Sequence, residues 1–169
     1  MSGAPAARLL RFRIGAAAAA LPLAIVRAVV TLPAIAPVPG GRPALAGVAL
    51  ARGLALPVYD LRVLFRAGAA SPADGIADSA PEHLIVCDWG EVSVGLLGER
   101  PDLLDGATQP GDPGEAGPFD GPCAAGRLMQ DGELVTVLDA ARLFASLGVP
   151  EDGSTDAREA EGEDDPAGR

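Results

Sequence analysis

Apolar and polar residues alternate with period two along much of this chain, and that pattern predicts short strands rather than long helices. Leu10, Phe12 and Ile14 alternate with Arg11 and Arg13, which reads as a half-buried strand over Leu9–Ile14, ended by Gly15. Residues 16–20 are five alanines. Propensity makes them helical, while the following Leu21-Pro22 fits a hairpin return strand equally well. Ile25, Val26, Val29 and Val30 have the spacing of a helix face but are β-branched, so helix and strand both stay open there. Pro33, Pro37, Pro39 and Pro43, with Gly40 and Gly41, predict an extended, turn-rich connection. Strands then follow at Ala46–Leu50 and Leu54–Tyr59, split by Arg52-Gly53, and later at Leu84–Asp88, Val92–Leu97 and Leu134–Leu138.

Two stretches repeat one arrangement. Asp60 closes a strand and precedes Leu61-Arg62-Val63-Leu64-Phe65-Arg66, with Gly68 beyond. Asp139 closes a strand and precedes Ala140 to Leu147, with Gly148 beyond. Each reads as an N-cap, a short amphipathic helix and a glycine stop. In both, Leu and Phe stand four and five residues after the Asp, and the copies lie 79 positions apart. A strand–Asp–helix unit recurring at that distance predicts two related subdomains.

Composition adds that 38 of 169 residues are Gly or Pro, which disfavours a helical bundle. It also marks residues 67–81 and 105–122 as flexible loops and 149–169 as an acidic disordered tail, since such segments bury too little apolar area to offset backbone entropy. The net charge of −10 is uneven: +7 over residues 1–66, −11 over 67–150 and −6 over 151–169. Overall acidity argues against nucleic acid as a partner. The longest uncharged apolar run, Ile14 to Val26, is 13 residues, too short for a membrane-spanning helix of about 20, so no direct membrane insertion is expected. Arg8, Arg11 and Arg13 ahead of an Ala-rich run have the outline of a signal peptide. The strand-like alternation over the same residues favours a cytoplasmic protein instead.

Candidate chemistry is sparse. Cys87 and Cys123 stand 36 positions apart with no second ligand beside either, so neither a disulfide scaffold nor a zinc site is expected. His83, the single histidine, has no nucleophile in a suitable turn to serve. Trp89, in Asp88-Trp89-Gly90, reads as a partly buried hairpin-turn aromatic. Asp60 and Asp139 are caps rather than an acid–base pair. No Gly-rich phosphate loop or metal-ligand cluster occurs. No enzyme activity and no cofactor are expected.

The run Gly47-Val48-Ala49-Leu50-Ala51-Arg52-Gly53-Leu54-Ala55-Leu56-Pro57-Val58-Tyr59-Asp60-Leu61-Arg62 resembles the signature of CheW-like domains, the coupling proteins of bacterial chemotaxis. Phe12-Arg13-Ile14-Gly15, Leu21 to Arg27, Pro37-Val38-Pro39, Val94-Gly95-Leu96-Leu97 and Gly132 to Phe144 agree with that family in order and spacing, so the resemblance covers residues 8–148. It implies a mainly β fold: two small five-stranded SH3-like β-barrels sharing a hydrophobic core, with short helices. It also implies a non-enzymatic adaptor whose partners are methyl-accepting chemotaxis receptors and the regulatory domain of a CheA-type histidine kinase. The alternative is a diverged CheW-like interaction domain serving a non-flagellar chemosensory pathway, such as surface motility.

Partner-binding residues carried over by the resemblance are Arg52, Gly53, Gly47 and Val26. Arg52 has planar donors suited to carboxylates on a partner. Gly47 and Gly53 either admit a close backbone approach or only shape the hairpin. Val26 either lines the receptor groove that the resemblance implies or is a plain core valine. The chain departs from the family at Leu50, where an Asn is usual, at Ala28, where an acidic residue is usual, and at Ala19, where an aromatic is common. Pro101, in the later strand region, cannot donate to a sheet ladder.

Overall fold

The computed structural model describes residues 8–66, 80–105 and 123–150. Ten strands and two short helices follow in the order β1 (Leu9–Ile14), β2 (Ala17–Pro22), β3 (Val26–Thr31), β4 (Ile35–Ala36), β5 (Leu45–Ala51), β6 (Leu54–Tyr59), α1 (Leu61–Arg66), β7 (His83–Trp89), β8 (Val92–Leu104), β9 (Ala124–Gln130), β10 (Glu133–Leu138) and α2 (Ala140–Leu147). The fold is mainly β, with short helices, as the alternation predicts. The segments expected to be flexible lie outside the described residues, apart from residues 80–81, 105 and 149–150. Val149 is buried in the core.

Two units share the long strand β8. In the first, β3 pairs β7, β7 pairs the front of β8, β8 runs parallel to β6, and β6 pairs β5, with the two-residue β4 on the far edge. In the second, the back of β8 pairs β1, β1 pairs β2, β2 runs parallel to β10, and β10 pairs β9. Strand for strand the two orders are the same: antiparallel, antiparallel, parallel, antiparallel. The repeat seen around Asp60 and Asp139 thus extends to five strands of each unit, with β4 added to the first. The units differ in connectivity, because the hairpin that follows the helix in the first unit (β7–β8) is supplied to the second by the start of the chain (β1–β2).

Strand β2 is buried on both faces, and β1 beside it buries Leu10, Phe12 and Ile14 while Arg11 and Arg13 stay partly exposed. Leu10, Phe12 and Ile14 of β1, with Ala17, Ala19 and Leu21 of β2, face a core shared with Ile85, Cys87, Val94 and Leu96 of the first unit. Leu9, Ala18 and Ala20 face the second unit's own interior with Val135 and Val137. A matching cluster of Ala49, Leu56, Val58, Leu84 and Val86 fills the first unit. This resolves the alanine run as a strand. Wedged between two cores, β2 has room only for small side chains, and packing overrides helix propensity.

The helices close the shared core. Asp139 accepts a hydrogen bond from the Arg142 amide at 2.9 Å, and Asp60 from the Arg62 amide at 2.9 Å, which makes both caps as predicted. Leu143 and Phe144 are fully buried, and Phe144 stacks on Trp89 with ring centroids 5.2 Å apart, joining α2 to β7 of the other unit. In the first copy Phe65 is buried but Leu64 is only half-buried, so the repeat is not exact in packing.

Three further differences from the sequence reading have local causes. The segment left open between helix and strand is a 3-10 turn at Leu23–Ile25 followed by β3, whose β-branched residues pair with β7. Strand β8 does not stop at Leu97 but continues through Pro101. There the register with β1 shifts and Arg100 takes φ 45°, a bulge that spares Pro101 a ladder bond. Strand β9, which no alternation announced, is held by β10 along its whole length.

Candidate functional site

The β5–β6 hairpin turns on two residues, Arg52 at φ 50° and Gly53 at φ 79°, with Ala51 paired to Leu54. Positive φ at both central positions is the geometry of a type I′ turn, whose twist matches that of the flanking strands. Gly53 accepts this without cost, and the position where a Cβ would stand is open space. Arg52 pays for it in backbone strain, since left-handed residues other than Gly, Asn and Asp are uncommon. Its side chain is exposed and has no hydrogen bond or ion pair among the described residues.

That isolation is unusual for this chain. Arg8 pairs with Asp105 at 2.9 Å, Arg11 with Asp102 at 2.9 Å and Asp131 at 3.7 Å, Arg13 with Glu133 at 2.6 Å, Arg27 with Asp88 at 3.5 Å and Arg62 with Asp60 at 2.8 Å. The positive front half of the sequence is therefore largely neutralised by acids from later in the chain. Arg42 and Arg52 are left without a carboxylate among the described residues.

Two large apolar side chains flank the tip. Leu50 is 69% exposed and Leu54 40%, and Ala55, the cross-strand partner of Leu50, is exposed as well. An unpaired guanidinium ringed by exposed leucines can bind a partner surface that offers a carboxylate beside an apolar contact. From sequence alone Leu50 is only a departure from the family pattern, and Leu54 carries no binding signal. The exposure of Leu50 follows from β5, where Gly47, Ala49 and Ala51 point inward, so the bulkier Leu50 must point out.

Gly47 sits elsewhere. It is buried in β5 at φ 150°, at the point where the register with β6 shifts, and a Cβ there would overlap the Ala36 carbonyl and lie 2.7 Å from Ile35 Cγ2. The close approach it permits is that of β4 to β5 within the fold, not of an outside partner.

Val26 opens β3 and is half-buried against the shared core. It lines a groove of about 470 Å³ with Leu10 and Leu23 and with Pro101, Asp102 and Leu103 of β8. Arg27, Ala28 and Val29 of β3 also line it, and the Arg27 guanidinium lies 3.5 Å from Asp88. The four residues expected to bind partners thus fall at three places: the hairpin tip with Arg52 and Gly53, the interior under β4 with Gly47, and the groove with Val26.

Among the described residues, the remaining titratable groups form no reactive constellation. Burial pushes the Cys87 thiol up to about 12, with the neighbouring Asp88 charge adding to the effect, so it stays protonated and inert. Cys123 is also buried, with Sγ 3.4 Å from the Ser146 hydroxyl. Among the described residues no three His, Cys, Asp or Glu side chains gather as a metal site, and no helix is long and apolar enough to cross a membrane.

Comparison with known proteins gives three findings. The family model for CheW-like domains matches residues 8–148. A search of curated proteins finds no match. Among solved structures, the fold is similar to the scaffolding protein TtCheW from Thermoanaerobacter tengcongensis, with a TM-score of 0.64 at 17% identity over 82% of this chain and 87% of that one.

Proposed function

This chain belongs to the CheW-like domain family, and from that premise we propose that it is a non-enzymatic adaptor coupling methyl-accepting chemoreceptors to a CheA-type histidine kinase in the cytoplasm. The observation that carries the reading is the β5–β6 tip, where Arg52 is held in a strained turn, without a partner among the described residues and flanked by Leu50 and Leu54. Strain retained at an exposed position is a mark of function rather than of stability. In this reading the tip meets the kinase regulatory domain, and the groove lined by Val26 takes a receptor tip. Gly53 shapes the turn, and Gly47 acts at one remove by letting β4 close over β5.

The test is Arg52→Glu. Calorimetric titration against the kinase regulatory domain and against a receptor-tip fragment should show at least tenfold weaker binding to one of them, with an unchanged circular dichroism spectrum. Reversing a charge at a partly desolvated contact costs several kcal/mol, whereas an exposed turn position contributes little to stability. Unaltered affinity in an intact fold would reject Arg52 as a contact.

One observation favours the second reading, a diverged adaptor for a non-flagellar pathway. Leu50 stands exposed where the family resemblance leads one to expect Asn, so the tip offers an apolar side chain in place of an amide. If Leu50→Asn strengthens binding to a flagellar-type kinase domain, the native surface is tuned to another partner and this second reading holds.

A further inference from the structure

Strand β8 carries one residue more than β1 can match. Leu9, Leu10 and Arg11 pair with Leu104, Leu103 and Asp102, but Arg13 pairs with Glu99, so two steps along β1 answer three along β8. The excess falls at Arg100-Pro101, where Arg100 takes φ 45°, the left-handed residue of a bulge. An extra residue exchanges the two faces for every side chain beyond it. Ahead of the bulge, Val94 and Leu96 face the shared core and Leu97 faces the first unit's interior. Beyond it the parity is reversed. Leu103 shares a face with its partner Leu10, a shared-core residue that also lines the groove with Val26, while Leu104 turns with Leu9 into the second unit's interior.

Without the extra residue, Asp102 would oppose Leu10 and Leu103 would oppose Leu9. The groove would gain a carboxylate and lose a leucine, and Arg11 would lose the Asp102 partner it holds at 2.9 Å. As built, the groove presents Leu103, 49% exposed, and Val29, 36% exposed. Both charged residues in its lining are met within the chain, Arg27 by Asp88 at 3.5 Å and Asp102 by Arg11 at 2.9 Å. An incoming charge finds no unpaired counter-charge there, whereas an apolar side chain finds two exposed contacts. We propose that the bulge at Arg100-Pro101 is the specificity determinant of this groove: by setting Leu103 rather than Asp102 beside Leu10, it selects an uncharged, apolar face of the receptor tip. The role rests on the groove receiving a receptor tip. It also accounts for left-handed strain at an exposed arginine, since the strain is what holds the shifted register.

The experiment is calorimetric titration of the full-length chain with a receptor-tip fragment. Leu103→Asp keeps the bulge and puts a carboxylate where the register excludes one, and affinity should fall about tenfold or more. Leu103→Met, apolar and of similar volume, should stay within about twofold of wild type. Deletion of Arg100 should bring the same loss as Leu103→Asp, and adding Asp102→Leu to the deletion should recover most of the binding. Nuclear Overhauser contacts between β1 and β8 read the register directly, with Leu10 moving from Leu103 to residue 102 in the deletion variant. If the deletion does not fold, the contrast between Leu103→Asp and Leu103→Met decides. Val26→Asp separates the two readings. Binding weakened by Val26→Asp but not by Leu103→Asp would overturn the role of the bulge and leave the groove as the receptor site. Binding altered by neither would overturn both.

Discussion

Arg52 and Asp131 occupy the same position in two copies of one hairpin. They are 79 residues apart, with φ of 50° and 51°, and each precedes a glycine at φ 79°. The copies have opposite charge and opposite circumstances. Asp131, a residue that tolerates the left-handed region, lies 3.7 Å from Arg11. Arg52 is poorly suited to that conformation and has no such neighbour among the described residues. The second hairpin meets the demands of a type I′ turn. The first keeps a cation at the expense of backbone strain.

Arg52→Asn should therefore stabilise the fold while weakening partner binding. Asn-Gly is a preferred type I′ pair, and relief of the left-handed penalty is worth about 1 kcal/mol, or about 3 °C in melting temperature for a chain of this size. Differential scanning calorimetry beside a binding titration checks both halves. A lower melting temperature would contradict the assignment of strain to Arg52.

The two helix copies should respond unequally to truncation. Leu143 is fully buried, so Leu143→Ala should cost about 2–5 kcal/mol. Leu64 is only half-buried, and Leu64→Ala should cost about 1–2 kcal/mol. Urea denaturation of the two variants gives the comparison, and equal losses would mean that α1 packs more deeply than its burial indicates.

Glycines 47 and 53 should differ in the same way. Gly53→Ala meets open space and carries only the left-handed penalty, about 1 kcal/mol. Gly47→Ala drives a methyl into the Ala36 carbonyl, and overpacking against backbone should bring the loss to about 3 kcal/mol. Amide exchange at Ile35 and Ala36 should rise in the second variant alone.

Alkaline pH should destabilise the protein through Cys87. Its thiol has a higher pKa in the folded state, about 12, than the 9.0 of a free thiol, so the unfolded chain loses its proton first. The stability is fully present below about pH 9 and falls as pH rises towards 12, by at most about 1.4 kcal/mol per unit. Tyr59, also raised by burial although the Arg42 charge opposes it, acts in the same direction. Cys87→Ala should flatten this limb in urea midpoints measured from about pH 8 to about pH 11. An unchanged slope would assign the loss to other groups.

Much of the fold is legible in the sequence. Period-two alternation located β1, β6 and the front of β8, because a strand with one polar face records its environment in its sequence. The caps at Asp60 and Asp139 were legible because a helix start needs a local acceptor for its free amides. The alanines of β2 were ambiguous because burial on both faces erases alternation, and β9 was hidden by its small and mixed residues. The extent of β8 depended on a bulge that arises only when β1 lies beside it.

The partner surface divides along the same line. By itself the sequence placed Arg52-Gly53 in a tight turn, put Val26 beside a β-branched stretch and marked the repeat, since each of these follows from residues within a few positions of one another. Tertiary structure decided the rest: that Arg8, Arg11 and Arg13 are neutralised by acids about 90 to 120 positions away while Arg52 meets none among the described residues, that Gly47 faces β4, and that the N-terminal hairpin completes the second unit through a parallel pairing of β2 with β10. Local sequence sets backbone preference and the amphipathic period. Charge pairing, exposure and strand partners depend on residues remote in the chain, and they exist only once the two units have closed on their shared core.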